Sequence, residues 1–231
     1  MTHKVGVLVS GGKDSLLSLW IALHKYNVTA IINIVPKKGD SQLFHYENSR
    51  FVNLISNMLG LKFYTAELKS NDMDEELSTL TNLILKSGVK AIVTGGVLSE
   101  FQRFKFNRAA KLANVNCYSP IWRKSPEIIL NLLINNNFKV IIVSVSSMGL
   151  NKNLLGRTLT SELYKTLKRL KKEFGLSIIG EGGEFETFVL DAPFFPKKLV
   201  IEDSEVIWNE IRGTGWLKIN KLTLKKKWKN G

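Results

Sequence analysis

Cysteine, histidine and proline are all scarce in this sequence, and each scarcity excludes a class of protein. A single cysteine, Cys117, in 231 residues excludes an internal disulfide framework and any zinc or iron–sulfur site built from several cysteines. Three histidines leave little for a histidine-based metal site. Only five prolines and a 44% hydrophobic share argue against a disordered chain, so we expect a folded protein with a sizeable core.

Long hydrophobic runs are also missing. The longest, such as Ala91–Val93 and Val140–Val143, fall far short of the roughly 20 apolar residues that a membrane span requires. The N-terminal run Val5–Val9 leads directly into a glycine loop, which is typical of a buried strand rather than a signal peptide. We therefore expect a soluble, cytoplasmic protein without a membrane partner.

Positive charge is in clear excess. Lysine and arginine number 33 against 20 acidic residues, which gives a formal net charge of +13. Such an excess suits a polyanionic partner or an anionic small substrate, but it equally suits an ordinary protein of a lysine-rich proteome. No arginine-rich stripe interleaved with aromatic residues is visible, so nucleic acid is not the favoured partner.

The order of hydrophobic patterns predicts an α/β fold. Five short apolar runs alternate with helical patterns in the first half: Val5–Val9, Val28–Val35, Leu61–Ala66, Lys90–Thr94 and Val115–Tyr118. Continuous apolar strands separated by helices indicate a Rossmann-like, five-stranded parallel sheet with helices on both faces.

The second half of the chain has a different pattern. It predicts two helices, Pro126–Asn135 and Leu159–Phe174, and four strands, Val140–Val145, Lys198–Glu202, Glu205–Trp208 and Trp216–Leu224. This order indicates a smaller α+β domain, so we divide the chain into residues 1–124 and 125–231.

A glycine loop after the first strand is the sharpest motif. It consists of Ser10, Gly11, Gly12, Lys13, Asp14 and Ser15, and it opens the first helix; we call it the phosphate loop. Its glycines allow tight turning, and the helix start presents N–H groups to an anion. Its serines add hydroxyl donors and its lysine adds a positive charge. Asp14 should repel phosphate, so it either holds Mg2+ on the phosphates or caps local N–H groups.

The spacing of this loop matches neither a Walker loop nor the G-x-G-x-x-G fingerprint. Ser-Gly-Gly-Lys-Asp-Ser resembles the PP-loop of the ATP pyrophosphatases, which cleave ATP to AMP and pyrophosphate. In parallel sheets, ligands bind beyond the carboxyl ends of the strands, where this loop lies.

Further candidates follow the second and fourth strands. Gly95 and Gly96 end the fourth strand and either allow close approach to a nucleotide or form a structural turn. Ser99 reads as a helix N-cap, with Gln102 completing a capping box. His45 follows the second strand at the same edge, where a nucleotide contact and an ordinary surface histidine are equally plausible.

An acidic, glycine-rich segment, Gly180–Phe195, is the second strong motif. It places Glu181, Glu184, Glu186 and Asp191 within eleven residues of a basic protein. If residues 184–190 are extended, Glu184 and Glu186 point to one face. The cluster suits a metal, an ammonium ion or a quaternary ammonium group, unless it is a solvated acidic turn paired with lysines.

Together these motifs resemble the diphthine–ammonia ligase family over most of the chain, from about Val5 to Ile201. The resemblance rests on the phosphate loop, Phe44-His45, Thr94–Arg103, Pro120-Ile121-Trp122 and, above all, Gly180–Phe195. It implies ATP-dependent amidation of diphthine on translation elongation factor 2, with ammonium as nitrogen source and with AMP and pyrophosphate as products. Residues 1–124 would then bind ATP and Mg2+, and residues 125–231 the substrate.

The resemblance also assigns roles to residues. Lys13, Asp14, Glu184 and Glu186 would be catalytic, with His45, Gly95 and Gly96 beside the nucleotide. The substrate-binding set would be Glu181, Gly182, Gly183, Glu184, Phe185, Glu186 and Thr187. Glutamates and an aromatic face suit the trimethylammonium group of diphthine, although one acid could instead accept a proton from ammonium.

Two rival interpretations stay open. A PP-loop enzyme that modifies tRNA, such as a thiolase or a lysidine-type ligase, would account for the positive charge, but a thiolase usually needs a reactive cysteine. A nucleotide-binding sensor without catalysis would leave the acidic segment without a role. The oligomeric state does not follow from the sequence.

Overall fold

The computed structural model describes residues 3–36, 49–70 and 72–227 of the chain. It divides into two compact units, Met1–Arg123 and Lys124–Gly231. Within the described ranges, every helix is too short or too polar to cross a bilayer.

The first unit is built on a parallel sheet. Its strands are β1 Lys4–Leu8, β2 Asn27–Val35, β3 Lys62–Glu67, β4 Ala91–Val93 and β5 Asn116–Tyr118, and its helices are α1 Lys13–Lys25, α2 Val52–Leu59, α3 Met73–Ser87 and α4 Glu100–Leu112. The strand order is β3-β2-β1-β4-β5, and all four neighbouring pairs are parallel. The predicted α/β, Rossmann-like fold is therefore confirmed.

The strand order also fixes where the helices lie. Right-handed crossovers put α1 and α2 on one face of the sheet, and α3 and α4 on the other, because the order reverses direction at β1. On the α3–α4 face, Ile32, Leu80, Ile92 and Ala109 belong to one continuous buried cluster. The reversal leaves a crevice between β1 and β4 at their carboxyl ends, which is the position where such sheets bind ligands.

The second unit contains an antiparallel sheet. Its elements are α5 Pro126–Asn135, β6 Lys139–Val145, a short 3-10 helix Lys152–Leu154, α6 Ser161–Phe174, β7 Phe185–Asp191, β8 Lys197–Asn209 and β9 Thr214–Lys226. The strand order is β7-β6-β9-β8.

Three elements of this unit differ from the prediction. β8 is one long strand where two were expected, because its polar interruption at Asp203 is a shift in pairing register and not a break. Helix α6 begins at Ser161 rather than Leu159, since Thr160 Oγ1 accepts a hydrogen bond from Leu163 N and caps the helix there. Part of the acidic segment forms a strand, β7, which lies at the edge of the sheet and pairs antiparallel with β6.

Candidate functional site

The phosphate loop is closed by hydrogen bonds between its own residues. Ser15 Oγ donates to Gly12 O at 2.9 Å and accepts from Ser10 N at 3.2 Å. Gly11 has a φ of +88°, a backbone conformation that favours glycine. Helix α1 starts directly after Gly12, which has no side chain to cap it. The first turn of α1 therefore keeps the anion-binding character of an uncapped helix N-terminus.

The two charged residues of the loop face each other. Lys13 is only 4% exposed, and its Nζ lies 2.7 Å from Asp14 Oδ2. The other carboxylate oxygen, Asp14 Oδ1, is buried and has no hydrogen-bond partner among the described residues. Leaving a buried acceptor unsatisfied costs about 1–3 kcal/mol, so this oxygen is suited to an external ligand.

Asp14 fits the way in which proteins hold magnesium on a nucleotide. Mg2+ usually takes one or two carboxylates, and substrate phosphates and water supply its remaining ligands. Nowhere in the described ranges do three or more histidine, cysteine or acidic side chains gather as a metal cage would require. Asp14, with its buried and unpartnered Oδ1, is a donor of the kind that such an ion takes.

Gly95 brings the β4 loop against the phosphate loop. A Cβ atom at Gly95 would lie 2.7 Å from Ser15 N, a separation that real Cβ atoms do not adopt. At Gly96, the nearest atom to such a Cβ is Thr94 Oγ1 at 4.0 Å, so the space there is open. Gly95 is thus required by the close approach of the chain's own backbone, while Gly96 leaves room beside the crevice.

Buried polar side chains link the strand ends around this crevice. Asn33 Nδ2 donates to Val9 O at 2.8 Å, and Thr65 Oγ1 donates to Asn33 Oδ1 at 3.2 Å. Thr94 Oγ1 lies 2.8 Å from Ser119 Oγ. Sequence reasoning missed Asn33, although a polar residue within a β-branched run near a strand's carboxyl end was the available signal.

Two of the motif segments meet beside α4. Ser99 Oγ accepts from Gln102 N at 3.3 Å, so the predicted N-cap is confirmed. The Arg103 guanidinium lies 4.8 Å from the Trp122 ring centroid, and Arg123 Nη2 lies 2.9 Å from Glu100 Oε1. The structure thereby joins Thr94–Arg103 to Pro120-Ile121-Trp122. His45 lies outside the described residues.

In the second unit, the segment Gly180–Glu186, which we call the acidic loop, is organised around Glu184. Its Oε1 accepts from Ser177 N at 2.8 Å, and its Oε2 accepts from Gly182 N at 2.9 Å. A Cβ at Gly182 would lie 2.9 Å from Glu184 Oε1, and one at Gly180 would lie 2.5 Å from Phe185 O. Gly180, whose φ is +74°, is therefore required by the loop's own packing, whereas Gly182 lies against the movable end of the Glu184 side chain; Glu184 fastens the loop.

The remaining members of the acidic segment lie in different places. Phe185 is buried, whereas Glu181, Glu186 and Thr187 are half-buried. Glu184 precedes β7, and its carboxylate turns back into the loop instead of sharing a strand face with Glu186. Asp191 lies at the other end of β7, about 20 Å away along the strand, where Lys227 pairs with it.

Two serines that the motif analysis missed support the acidic loop. Ser146, directly after β6, donates from its N to Glu184 O at 2.8 Å, and its hydroxyl donates to Gly183 O. Ser177 Oγ accepts from Glu181 N at 3.4 Å. Neither serine lies in the acidic segment, so only the fold reveals their role.

Comparison with known proteins gives matches along both units. The model of the diphthamide synthase N-terminal domain matches residues 3–116, and that of the diphthamide synthase C-terminal domain matches residues 125–224. The mouse protein named diphthine–ammonia ligase is 28% identical over 97% of this chain and 93% of its own length.

The chain is also similar to a second named relative and to a solved structure. A Schizosaccharomyces pombe protein of the same name is 30% identical over 94% of this chain, which spans 39% of that longer protein. The crystal structure of a predicted tRNA methyltransferase subunit from Methanocaldococcus jannaschii matches 82% of this chain and 97% of its own. The TM-score is 0.45 and the sequence identity is 18%. With one family's models matching both halves in order, the chain belongs to the diphthamide synthase family.

Proposed function

We propose that this protein is a diphthine–ammonia ligase, which uses ATP and ammonium to convert the diphthine carboxylate of translation elongation factor 2 into the amide of diphthamide. Its relatives across nearly the whole chain bear that enzyme's name. The observation that carries the proposal is the phosphate loop at the β1–β4 crevice, where Asp14 keeps one carboxylate oxygen without a partner.

In this proposal, residues 1–124 bind ATP. The phosphate-binding set is Ser10, Gly11, Gly12, Lys13, Asp14 and Ser15, with Gly96 and His45 near the nucleotide and Gly95 holding the β4 loop in place. Mg2+ bound with ATP neutralises charge on the phosphates. Lys13 would offset negative charge on the departing pyrophosphate, and Asp14, which has an unpartnered carboxylate oxygen, would hold the metal.

Residues 125–231 bind the substrate through the acidic loop. Its proposed contacts are Glu181, Gly182, Gly183, Glu184, Phe185, Glu186 and Thr187. Glu186 and Glu181 provide negative charge for the trimethylammonium group of diphthine, or accept a proton from ammonium. Glu184 contributes by fixing the loop's shape, because both of its oxygens already accept backbone hydrogen bonds. Phe185 supports the loop from the core.

This chemistry needs no nucleophilic side chain on the enzyme. The diphthine carboxylate attacks the α-phosphorus of ATP, pyrophosphate leaves, and ammonia then displaces AMP from the acyl-adenylate. The protein must align the carboxylate with the phosphate and stabilise the charge that develops on the leaving group. Backbone N–H groups and charged side chains held in fixed positions can do both, and the phosphate loop contains such groups.

A pyrophosphate-release assay tests the proposal. Purified elongation factor 2 carrying diphthine should stimulate release, ammonium should allow amide formation, and AMP rather than ADP should accumulate. Stimulation by tRNA instead would support the rival tRNA-modifying enzyme. Against the thiolase form of that rival, burial raises the pKa of the Cys117 thiol to about 11, so little thiolate exists at neutral pH.

A further inference from the structure

Three loops leave the second sheet at one end. A single row of paired residues crosses all four strands there: Phe185 on β7, Val145 on β6, Gly215 on β9 and Trp208 on β8. The acidic loop precedes this row, a loop at residues 146–151 follows β6, and the β8–β9 turn joins the other two strands. Three strand spacings make the row about 14 Å wide, so the three loops are neighbours.

Two of these loops expose large apolar side chains. Ile211, in the β8–β9 turn, is 98% exposed, and Met148, in the loop after β6, is 79% exposed. They are the two most exposed large hydrophobic residues in the described part of the chain. A single exposed apolar residue is ordinary, but these two share the sheet end that carries the acidic loop.

The turn that carries Ile211 is held in a fixed shape. Trp208 Nε1 donates to Glu210 Oε2 at 3.0 Å, and Lys152 Nζ lies 3.4 Å from Glu210 Oε1. Asn209 Oδ1 accepts from Arg212 N at 2.9 Å and closes the turn. An apolar side chain on a preorganised turn loses less conformational entropy when it binds, which raises the affinity it can give.

The loop that carries Met148 is tied to the acidic loop. Ser146 hydrogen-bonds to the backbone of Gly183 and Glu184, two residues before the methionine. On its other side, a Cβ at Gly149 would lie 2.5 Å from the Phe174 ring, so the loop packs closely on α6. The position of Met148 is therefore set relative to the proposed diphthine contacts.

We propose that Met148 and Ile211 anchor the protein substrate, by packing against apolar side chains of the segment that carries the diphthine residue. This inference rests on the proposed function. The acidic loop complements the trimethylammonium cation, and the two apolar side chains at the same sheet end complement the polypeptide around it. At protein interfaces a few side chains that become fully buried carry most of the binding energy, and methionine is among the residues enriched there.

The test compares Ile211→Asp and Met148→Asp with the wild type, using intact diphthine-bearing elongation factor 2 and a diphthine-bearing tripeptide. A carboxylate cannot replace an apolar anchor, so we expect the KM for the intact factor to rise about 10- to 100-fold, with kcat at saturation little changed. The KM for the tripeptide, which is about 10 Å long, should stay the same. ATP affinity should also stay the same.

Two control variants separate anchoring from folding. Val206→Asp places the same charge on β8 at a residue that is 50% exposed but away from the turn, and it should behave as wild type. Ile211→Leu should keep the wild-type KM, because it preserves the apolar anchor.

The outcomes distinguish the two proposals. If the wild type does not amidate diphthine at all, the proposed function fails and the anchoring proposal fails with it. If the wild type is active and both Asp variants keep its KM for the intact factor, only the anchoring proposal fails. Binding of wild type, but not Ile211→Asp, to phosphatidylcholine–phosphatidylserine vesicles would overturn it in favour of a membrane. A dimer that Ile211→Asp dissociates would overturn it in favour of a second copy.

Discussion

The phosphate loop and the acidic loop are both glycine-rich turns, yet they use their carboxylates in opposite ways. In the acidic loop, both oxygens of Glu184 accept backbone hydrogen bonds, from Ser177 N and Gly182 N. In the phosphate loop, Asp14 pairs through Oδ2 with Lys13, while its Oδ1 is buried without a partner in the described chain. A carboxylate saturated by its own backbone shapes a loop, whereas one with a buried vacant acceptor is suited to bind something else.

The largest loss of activity should come from replacing Asp14, whose Oδ1 is the buried acceptor without a partner among the described residues. Asp14→Ala should lower the amidation rate by at least about 100-fold, the scale of removing a preorganised charged group. Asp74→Ala is the matched control, because Asp74 is also an acid in a first helical turn of this unit but is exposed. Steady-state rates and nucleotide binding, with folding checked by circular dichroism, provide the measurement. A folded Asp14→Ala protein with wild-type turnover would end the assignment of this loop to ATP.

The next largest effect is expected from replacing Glu186, and it is compared with replacing Glu184, two residues before it. Glu186→Gln removes a charge beside the proposed substrate, so amidation should fall about 10- to 150-fold while ATP affinity stays near normal. Glu184→Gln also removes one acceptor from the pair of hydrogen bonds to Ser177 and Gly182, so it should loosen the loop as well. Hydrogen exchange of the Gly182 amide should rise in Glu184→Gln alone.

The opposite results would be equally informative. If both variants lose ATP binding and keep normal turnover at saturating ATP, the acids serve the nucleotide. If neither variant changes any measurement, the acidic loop is a solvated turn and its assignment to the substrate fails.

These contrasts show why the sequence predicted the sheet well and the acidic loop less well. The central strands β2, β1 and β4 are recognisable in the sequence as continuous apolar runs, such as Val5–Val9, because both faces of the sheet are covered there. A glycine-rich acidic segment carries no such periodicity, so the inward turn of the Glu184 carboxylate was not predictable. It depends on donation from Ser177 N and Gly182 N, and the loop backbone is held by Ser146, which meets the loop only in the folded chain.

Gly95 illustrates the same limit at the phosphate loop. From the sequence, the glycine pair fitted either a close approach to a nucleotide or a structural turn, and the pattern did not distinguish Gly95 from Gly96. The atom that approaches Gly95 is Ser15 N of the chain itself, because β1 and β4 are adjacent across the topological reversal. Adjacency of strands that are far apart in sequence follows from topology rather than from local pattern.

A smaller effect, on the free energy of unfolding, is expected from replacing Gly95 but not its neighbour Gly96. Gly95→Ala would put a methyl group 2.7 Å from Ser15 N, so the β4 loop must shift, at a cost of about 1–3 kcal/mol of unfolding free energy and weaker ATP binding. Gly96→Ala meets open space and should leave the unfolding free energy unchanged. Chemical denaturation of both variants, with and without ATP, measures the difference. Equal stability of the two proteins would contradict the close approach seen at Gly95.

The smallest expected effect at neutral pH concerns Cys117, which lies in neither loop. Burial raises the pKa of its thiol from 9.0 to about 11, so the folded protein keeps the proton at pH values where the unfolded chain releases it. Since the unfolded state then binds fewer protons, the wild type should lose stability between about pH 9 and pH 11 relative to Cys117→Ala. Urea unfolding of both proteins across that range gives the difference. At pH 7.5 the variant should amidate at the wild-type rate, because acyl transfer to ammonia needs no thiolate; a loss of activity there would favour sulfur chemistry over the reaction proposed for the two loops.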